Sequence, residues 1–372
     1  MYKRPSSRAR LAQWLLLLGL VAGVLYLGAN AADNLASRHV PFGFGYLGNT
    51  ANFDIPFHLI DFGPANTYAR ALLVCALNTL LVSAMGVVAA TLLGVLVGVS
   101  RLSANWLVRN LALCFIEAVR NTPMLVQIVF WYVAVLQSLP GPRQSLILGG
   151  GVLLNIRGIY LPVPVLQPDG AALAWLAAAL VVATPFVWRW HVRGRAIGAW
   201  GLALTVAAIV ALALAISDIE VPTLRGFNIT GGMQLPPELA AVWAGLSIYS
   251  AAFIAEIVRS TIQAVHRGQR EAALSLGLTP RQAMWRVVLP QAARMMMPPL
   301  TSQYLNLIKS SSLGAAVAYP EIFQIFAGTV LNQSGRETET FAIVMGLFLG
   351  FNLIVSALMN RLNARLALHV AR

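Results

Sequence analysis

Long apolar blocks constrain this chain more than any other feature of it. Runs of about 20 apolar residues, the length that carries a helix across the hydrocarbon of a bilayer, occur at 11–30, 70–99, 111–136, 171–188, 198–216, 239–259, 291–309 and 340–360. A helix satisfies its own backbone hydrogen bonds, so in lipid each block is expected to fold as one span. The expected fold is therefore an all-α polytopic membrane protein with about eight transmembrane helices. Only 10% of the residues are charged, where a soluble domain carries about a quarter. The first block follows Lys3, Arg4, Arg8 and Arg10 and ends near Ala29 and Ala31, the layout of a secretory signal. Its apolar run exceeds a usual signal core, so it is expected to remain as a span.

Orientation follows from the cations, because Lys and Arg near span ends are held on the cytoplasmic side. With the N-terminus inside, 18 of the 26 Lys and Arg fall on cytoplasmic segments, six on outer ones, and Arg120 and Lys309 within spans. Both termini are accordingly expected in the cytoplasm. The net charge of +13 is thus spent on topology between apolar blocks, and no nucleic-acid partner is implied. The outer segments 31–69, 137–170 and 217–238 are rich in Gly, Pro and Asn and are expected to be irregular. Two of them share a loose pattern, Asn155-Ile156-Arg157-Gly158 and Gly226-Phe227-Asn228-Ile229, too weak to count as a repeat.

Residues for catalysis do not assemble. The only lysines are Lys3 and Lys309, neither preceded by glycine, so a Walker-type phosphate loop is excluded. His39, His58, His191, His266 and His369 show no metal-ligand spacing, and Cys75 and Cys114 lie inside apolar blocks, away from any disulfide framework. The chain is expected to be neither an enzyme nor the holder of a metal or cofactor.

The informative segment is the loop 260–290. Gln269 to Leu276 favours a helix that Gly277 can end in the left-handed conformation. Thr279, Pro280 and Gln282 then fit the N-cap, first and third positions of a second short helix, a capping box, with Pro290 stopping it. Ala272, Ala273, Leu276, Met284, Trp285, Val288 and Leu289 would give these helices apolar surface on the watery side. That surface needs a cover: its own span ends, the lipid interface, or a docked cytoplasmic partner. Charges within spans are the second anomaly, since each costs at least ~2.5–3.5 kcal/mol at the bilayer centre. Glu117 with Arg120 and Glu256 with Arg259 are three residues apart and can pair on one helix face, as structural ion pairs or as part of a polar path. Pro123, after Arg120-Asn121-Thr122, frees a backbone carbonyl one turn earlier. Lys309-Ser310-Ser311-Ser312 ends span seven, placing Lys309 toward the bundle interior or snorkelling to the outer interface.

Glu271-Ala272-Ala273, Gly277 and Leu289-Pro290 resemble the EAA loop of ABC-importer permeases. The run Gly268 to Leu278 is similar to the polar amino-acid branch, as are Arg120 to Gln127, Tyr249 to Arg259 and Leu307 to Leu313. The resemblance covers about 70–136 and 239–365. It implies a type I importer permease core with an inserted helix pair: an anchor span and outer loop (1–69), core (70–136), inserted block (137–238), and core with the coupling loop (239–372). Such a block looks like the larger permease of the general L-amino-acid transporters. The resemblance further implies a bacterial inner-membrane location and, as partners, a second permease of different sequence, two ATPase subunits that bind ATP and Mg, and a periplasmic amino-acid-binding protein. Glu271, Ala272, Ala273, Gly277, Leu289 and Pro290 would couple to the ATPase. Arg120, Thr122, Gln127, Tyr249, Glu256, Lys309 and Ser310 would bound the path of an amino-acid substrate. The competing class is a stand-alone secondary transporter driven by an ion gradient, with Glu117 or Glu256 as relay; it leaves the amphipathic loop unexplained.

Overall fold

The computed structural model describes residues 7–37, 43–166, 216–226 and 228–368, with residues 179 and 208 between them. Expected spans four and five, 171–188 and 198–216, fall almost wholly outside the described residues. Elsewhere the apolar blocks form helices: α1 (Ser7–Ser37), α2 (Tyr68–Ser100), α3 (Trp106–Arg120), α4 (Met124–Val129), α5 (Pro237–Ala264), α6 (Arg267–Ser275), α7 (Pro280–Ala283), α8 (Leu289–Ser310), α9 (Leu331–Ser334) and α10 (Glu337–Leu368). Among the described residues, α1, α2, α5 and α10 each contain a stretch long and apolar enough to cross a membrane. At 1.5 Å per residue, α2 with its 33 residues is ~50 Å long and outreaches the ~30 Å hydrocarbon core.

Span three departs from its expected form. The block 111–136 is two helical pieces, α3 and 124–136, bent by 102° across Asn121-Thr122-Pro123. Pro123 has no N–H to give to the carbonyl of Val119, four residues back. The Gln127 side chain supplies the missing donor, reaching the Val119 oxygen at 2.9 Å and the Thr122 oxygen at 3.1 Å.

The bundle is built on one close pairing. Gly86, Ala90, Gly94 and Gly98 recur every fourth residue along the buried face of α2, a spacing that places them on one stripe. They let α5 approach until a Cβ added at Gly94 would lie 2.7 Å from Ile254 Cβ, and one at Gly98 2.7 Å from the Ala255 carbonyl oxygen. Small residues at such a contact are the usual device of helix pairs in lipid, where dispersion replaces the hydrophobic drive. The order of these contacts makes α2 and α5 parallel. α8 crosses them in the opposite sense, with Leu307 beneath Gly86 and the Tyr304 hydroxyl 2.9 Å from Thr91 Oγ1. Val82, Ile128, Leu246, Ile254, Leu307 and Tyr319 share the core between them.

At the end where α2 and α5 begin, a second core gathers Tyr46, Ile55, Val74, Phe326 and Val344. Here the turn before α9 is clamped to α2. Asn78 Nδ2 donates to the carbonyls of Phe57 (2.8 Å) and Pro320 (2.9 Å), while Tyr319 donates back to the Asn78 carbonyl at 2.9 Å. The fully buried Glu321 carboxylate accepts from the backbone N–H groups of Phe323 and Gln324.

The expectation of irregular outer connections is corrected at this same end, within a fold that is mostly helical. Eight short strands lie among the described residues: β1 (Leu146–Leu148), β2 (Val152–Asn155), β3 (Gly158–Leu161), β4 (Val163–Leu166), β5 (Ile216–Glu220), β6 (Thr223–Arg225), β7 (Asn228–Thr230) and β8 (Met233–Leu235). They form a sheet of order β1-β2-β3-β8 and the pairs β4-β5 and β6-β7, all antiparallel. The two loosely similar segments are hairpin turns, closing Asn155 onto Gly158 and Arg225 onto Asn228. Arg157 Nη1 donates to Asn228 Oδ1 at 3.0 Å, so the two turns meet. Gly158, at φ +120°, lies where a Cβ would stand 2.1 Å from the Leu235 carbonyl oxygen. The Gly and Asn that look like loop composition are the turn residues of very short strands.

Candidate translocation cavity and coupling loop

The loop opposite the sheets forms as two short helices. α6 ends in a left-handed glycine: Gly277 has φ +81°, its N–H bonds to the Leu274 carbonyl at 2.9 Å, and the Leu278 N–H reaches the Ala273 carbonyl at 3.2 Å. That pair of bonds is the Schellman closure, available to glycine without a Cβ clash. Thr279 caps α7, with Thr279 Oγ1 accepting from the Gln282 N–H at 3.3 Å and Gln282 Oε1 from the Thr279 N–H at 3.0 Å. Pro290 does not stop the second helix as expected. The chain passes from α7 through a widened turn, Met284–Val288, directly into α8, so Pro290 lies inside one continuous helical run and gives no N–H to the preceding turn.

Of the residues expected to couple, Glu271 and Ala272 are exposed, Gly277 is exposed between the helices, Leu289 and Pro290 are half-buried, and Ala273 is buried beneath α6. The apolar surface is real and asymmetric. Leu276 is 83% exposed and Trp285 63%, whereas Val288 turns inward at 5%. Leu274, not singled out from the sequence, joins the exposed side.

Between α4, α5 and α8 lies a cavity of about 280 Å³, lined by Met124, Tyr249, Phe253, Gln303, Asn306, Leu307, Ser310 and Leu313. It unites two of the expected path residues, Tyr249 and Ser310. The Arg120 guanidinium lies 5.2 Å from the centre of the ring of Phe253, a lining residue whose ring centre is 4.9 Å from that of Tyr249 with the two planes tilted by 45°. The guanidinium is thus held by a cation–π contact, and the Glu117–Arg120 ion pair expected from spacing is not among the salt bridges of the described residues. Glu256 pairs with Arg259 on α5, as the spacing suggested.

Thr122, Gln127 and Lys309 are outside the lining, as are Arg120 and Glu256. Thr122 gives its hydroxyl to the Ala118 carbonyl at 2.9 Å, and Gln127 is committed to the break itself. Lys309 is exposed beside Ser310, while the next two hydroxyls turn back into the helix, Ser311 to the Ile308 carbonyl (2.7 Å) and Ser312 to the Lys309 carbonyl (2.9 Å). Gln303 and Asn306 are cavity residues that sequence reasoning missed. Their spacing to Ser310, three and then four, is a polar stripe on one helix face and was available as a signal.

The sequence profile of the family described as "Binding-protein-dependent transport system inner membrane component" matches residues 90–368, a span that holds both the cavity and the loop. The "Putative amino-acid ABC transporter permease protein YhdX" of Escherichia coli (strain K12) is 44% identical over 99% of this chain and 96% of its own. The "General L-amino acid transport system permease protein AapQ" of Rhizobium johnstonii is 41% identical over 98% of this chain and 93% of its own. Among solved structures, one described as an amino acid ABC transporter with histidines superposes with a TM-score of 0.50 over 80% of this chain and 95% of its own, at 20% identity, a likeness of fold. The chain belongs to the family of binding-protein-dependent transport system inner membrane components.

Proposed function

We propose that this chain is the permease subunit of an ATP-driven amino-acid importer, forming half of the translocation path and receiving force through residues 265–290. The observation that carries this reading is the pair of short helices hinged at Gly277, whose exposed Leu276 and Trp285 form an apolar surface at the ends of the spans. A stand-alone transporter has no use for that surface, and a docked ATPase covers it. The relatives' names supply the substrate class. Glu271 faces the ATPase as an ion-pair partner, the two apolar side chains fill a groove on it, and ATP and Mg are bound by that subunit.

In this reading the chain has about eight spans with both termini in the cytoplasm, and the strands stand on the outer face. A second permease completes the cavity, and a periplasmic binding protein delivers the amino acid to the outer end. Closure of the ATPase dimer is passed by α6 and α7 into α8, because the chain is helical without interruption from Pro280 to Ser310. α8 carries Gln303, Asn306 and Ser310, so a shift of the loop displaces one wall of the cavity. Gln303, Asn306, Tyr249 and Ser310 offer hydrogen bonds to a zwitterion, with Arg120, Lys309 and Glu256 near the wall as fixed charges.

A photo-crosslinking residue at Trp285 tests the reading. The expected product is a single adduct with the ATPase subunit, in cells expressing all partners. Adducts confined to lipid, with none to an ATPase, would contradict it.

A further inference from the structure

A second cavity, of about 530 Å³, lies where α2 and α5 end and α8 begins. The proposed coupling function does not use it. Leu102, Ile262, Met284 and Val288 give it an apolar floor, and Arg267 and Arg270 a basic rim. The two arginines are three apart on α6 and so project from neighbouring positions of one face. No carboxylate lines the cavity, and neither arginine takes part in a salt bridge among the described residues. The remaining polar side chains of the lining are each engaged at one atom. Gln263 accepts from Arg259, and His266 Nδ1 accepts from the Gly268 N–H at 3.1 Å.

Two guanidiniums without a carboxylate call for an anion that accepts planar, paired hydrogen bonds, which is the chemistry of a phosphate ester. The apolar floor calls for hydrocarbon joined to that anion. The volume falls in the ~300–1,000 Å³ range of sites for compact ligands, and the position is at the ends of two helices long and apolar enough to cross a membrane, α2 and α5. We infer that this cavity binds the headgroup and first acyl carbons of an anionic phospholipid from the leaflet facing the coupling loop. The inference rests on the sidedness proposed above, which places that leaflet on the cytoplasmic side, where anionic lipid and juxtamembrane cations meet. Bound there, the lipid would fill the space behind α6 and brace the loop against the span ends.

The test is native mass spectrometry of the assembled complex taken from nanodiscs of phosphatidylglycerol or of phosphatidylcholine. Wild type should retain phosphatidylglycerol in preference to phosphatidylcholine. The pair Arg267→Gln with Arg270→Gln should retain it roughly 25-fold less, about fivefold for each basic group near an anionic surface. Arg267→Lys with Arg270→Lys, which keeps the charge, should recover part of that loss. Three results would overturn the inference: equal retention by the Gln pair and wild type, inorganic phosphate bound at this cavity while phosphatidylglycerol is not, or loss of the ATPase subunit from the Gln pair with its lipid count unchanged. Lipid retention is read whether or not the complex transports. A wild-type complex that holds phosphatidylglycerol but shows no ATP-driven uptake would therefore count against the transport reading alone.

Discussion

Gly277 holds the loop's geometry at φ +81° with open space around the position a Cβ would take. Nothing there clashes sterically with a neighbour, so the demand is on backbone torsion alone, and a left-handed L residue costs about 1–2 kcal/mol. Gly277→Val adds β-branching to that cost. The variant is expected to insert and assemble, yet to lose most of its uptake while the partner ATPase continues to turn over. Parallel uptake and ATPase measurements at matched membrane levels check this, and wild-type values for both would remove Gly277 from the hinge. Lys309 poses a different question, because the serines after it bond to the helix and leave it exposed beside the cavity residue Ser310. If its ammonium serves the passing carboxylate, Lys309→Met abolishes uptake and Lys309→Arg impairs it, since the guanidinium is bulkier and hydrates differently. Equal uptake by Lys309→Arg and wild type would leave only a snorkelling role.

Among elements, the bent third span and the α2–α5 pair decide the shape of the cavity. Gln127→Leu keeps the volume at the bend but takes its donor from the Val119 carbonyl. The Val119 carbonyl keeps the Thr122 N–H at 3.3 Å, but two side-chain hydrogen bonds are lost, each contributing about 0.5–1.5 kcal/mol net, so the complex should melt at lower temperature, with expression retained; an unchanged Tm would mean that the break needs no such staple. The glycine stripe gives a graded test. Gly94→Ala would drive a Cβ to 2.7 Å from Ile254 and 2.9 Å from the Ala251 carbonyl oxygen, whereas Gly86→Ala meets only the flexible end of Leu307 at 3.2 Å. Overpacking costs about 1–3 kcal/mol, so thermal unfolding of the purified complex should fall clearly for Gly94→Ala and little for Gly86→Ala. Equal effects would put α2 and α5 farther apart than described.

The same elements explain what was legible in the sequence. Apolar blocks are read directly because lipid demands them, and the Gly277 and Thr279–Gln282 caps are read because local torsions and hydrogen bonds depend on neighbours in sequence. The 102° bend was half legible: Pro123 announced the freed carbonyl, but the angle depends on what Gln127 and α5 do in three dimensions. The strands were missed because they are three to five residues long, too short for alternation to show against turn-rich composition. Gln303 and Asn306 were missed for another reason. Polar groups in a span were weighed as charges, and the neutral stripe on α8 became a cavity wall only once α4 and α5 were packed opposite it.

Across the whole molecule, two features stand at opposite ends of α8: a loop with exposed Leu276 and Trp285, and a cavity lined by Gln303, Asn306 and Ser310. In the proposed function, force enters at the first and moves the second. α1 fits this picture as an addition to the core, since Leu11, Trp14, Leu16, Leu20, Leu25 and Leu27 are exposed to whatever surrounds the bundle. The most direct measurement is amino-acid uptake into proteoliposomes holding this chain with the proposed second permease, an ATPase and a binding protein. The account predicts uptake that requires ATP and binding protein, stops with vanadate, and is lost in Gly277→Val although ATP hydrolysis persists. Uptake by this chain without the ATPase, driven by a proton or sodium gradient, would contradict it.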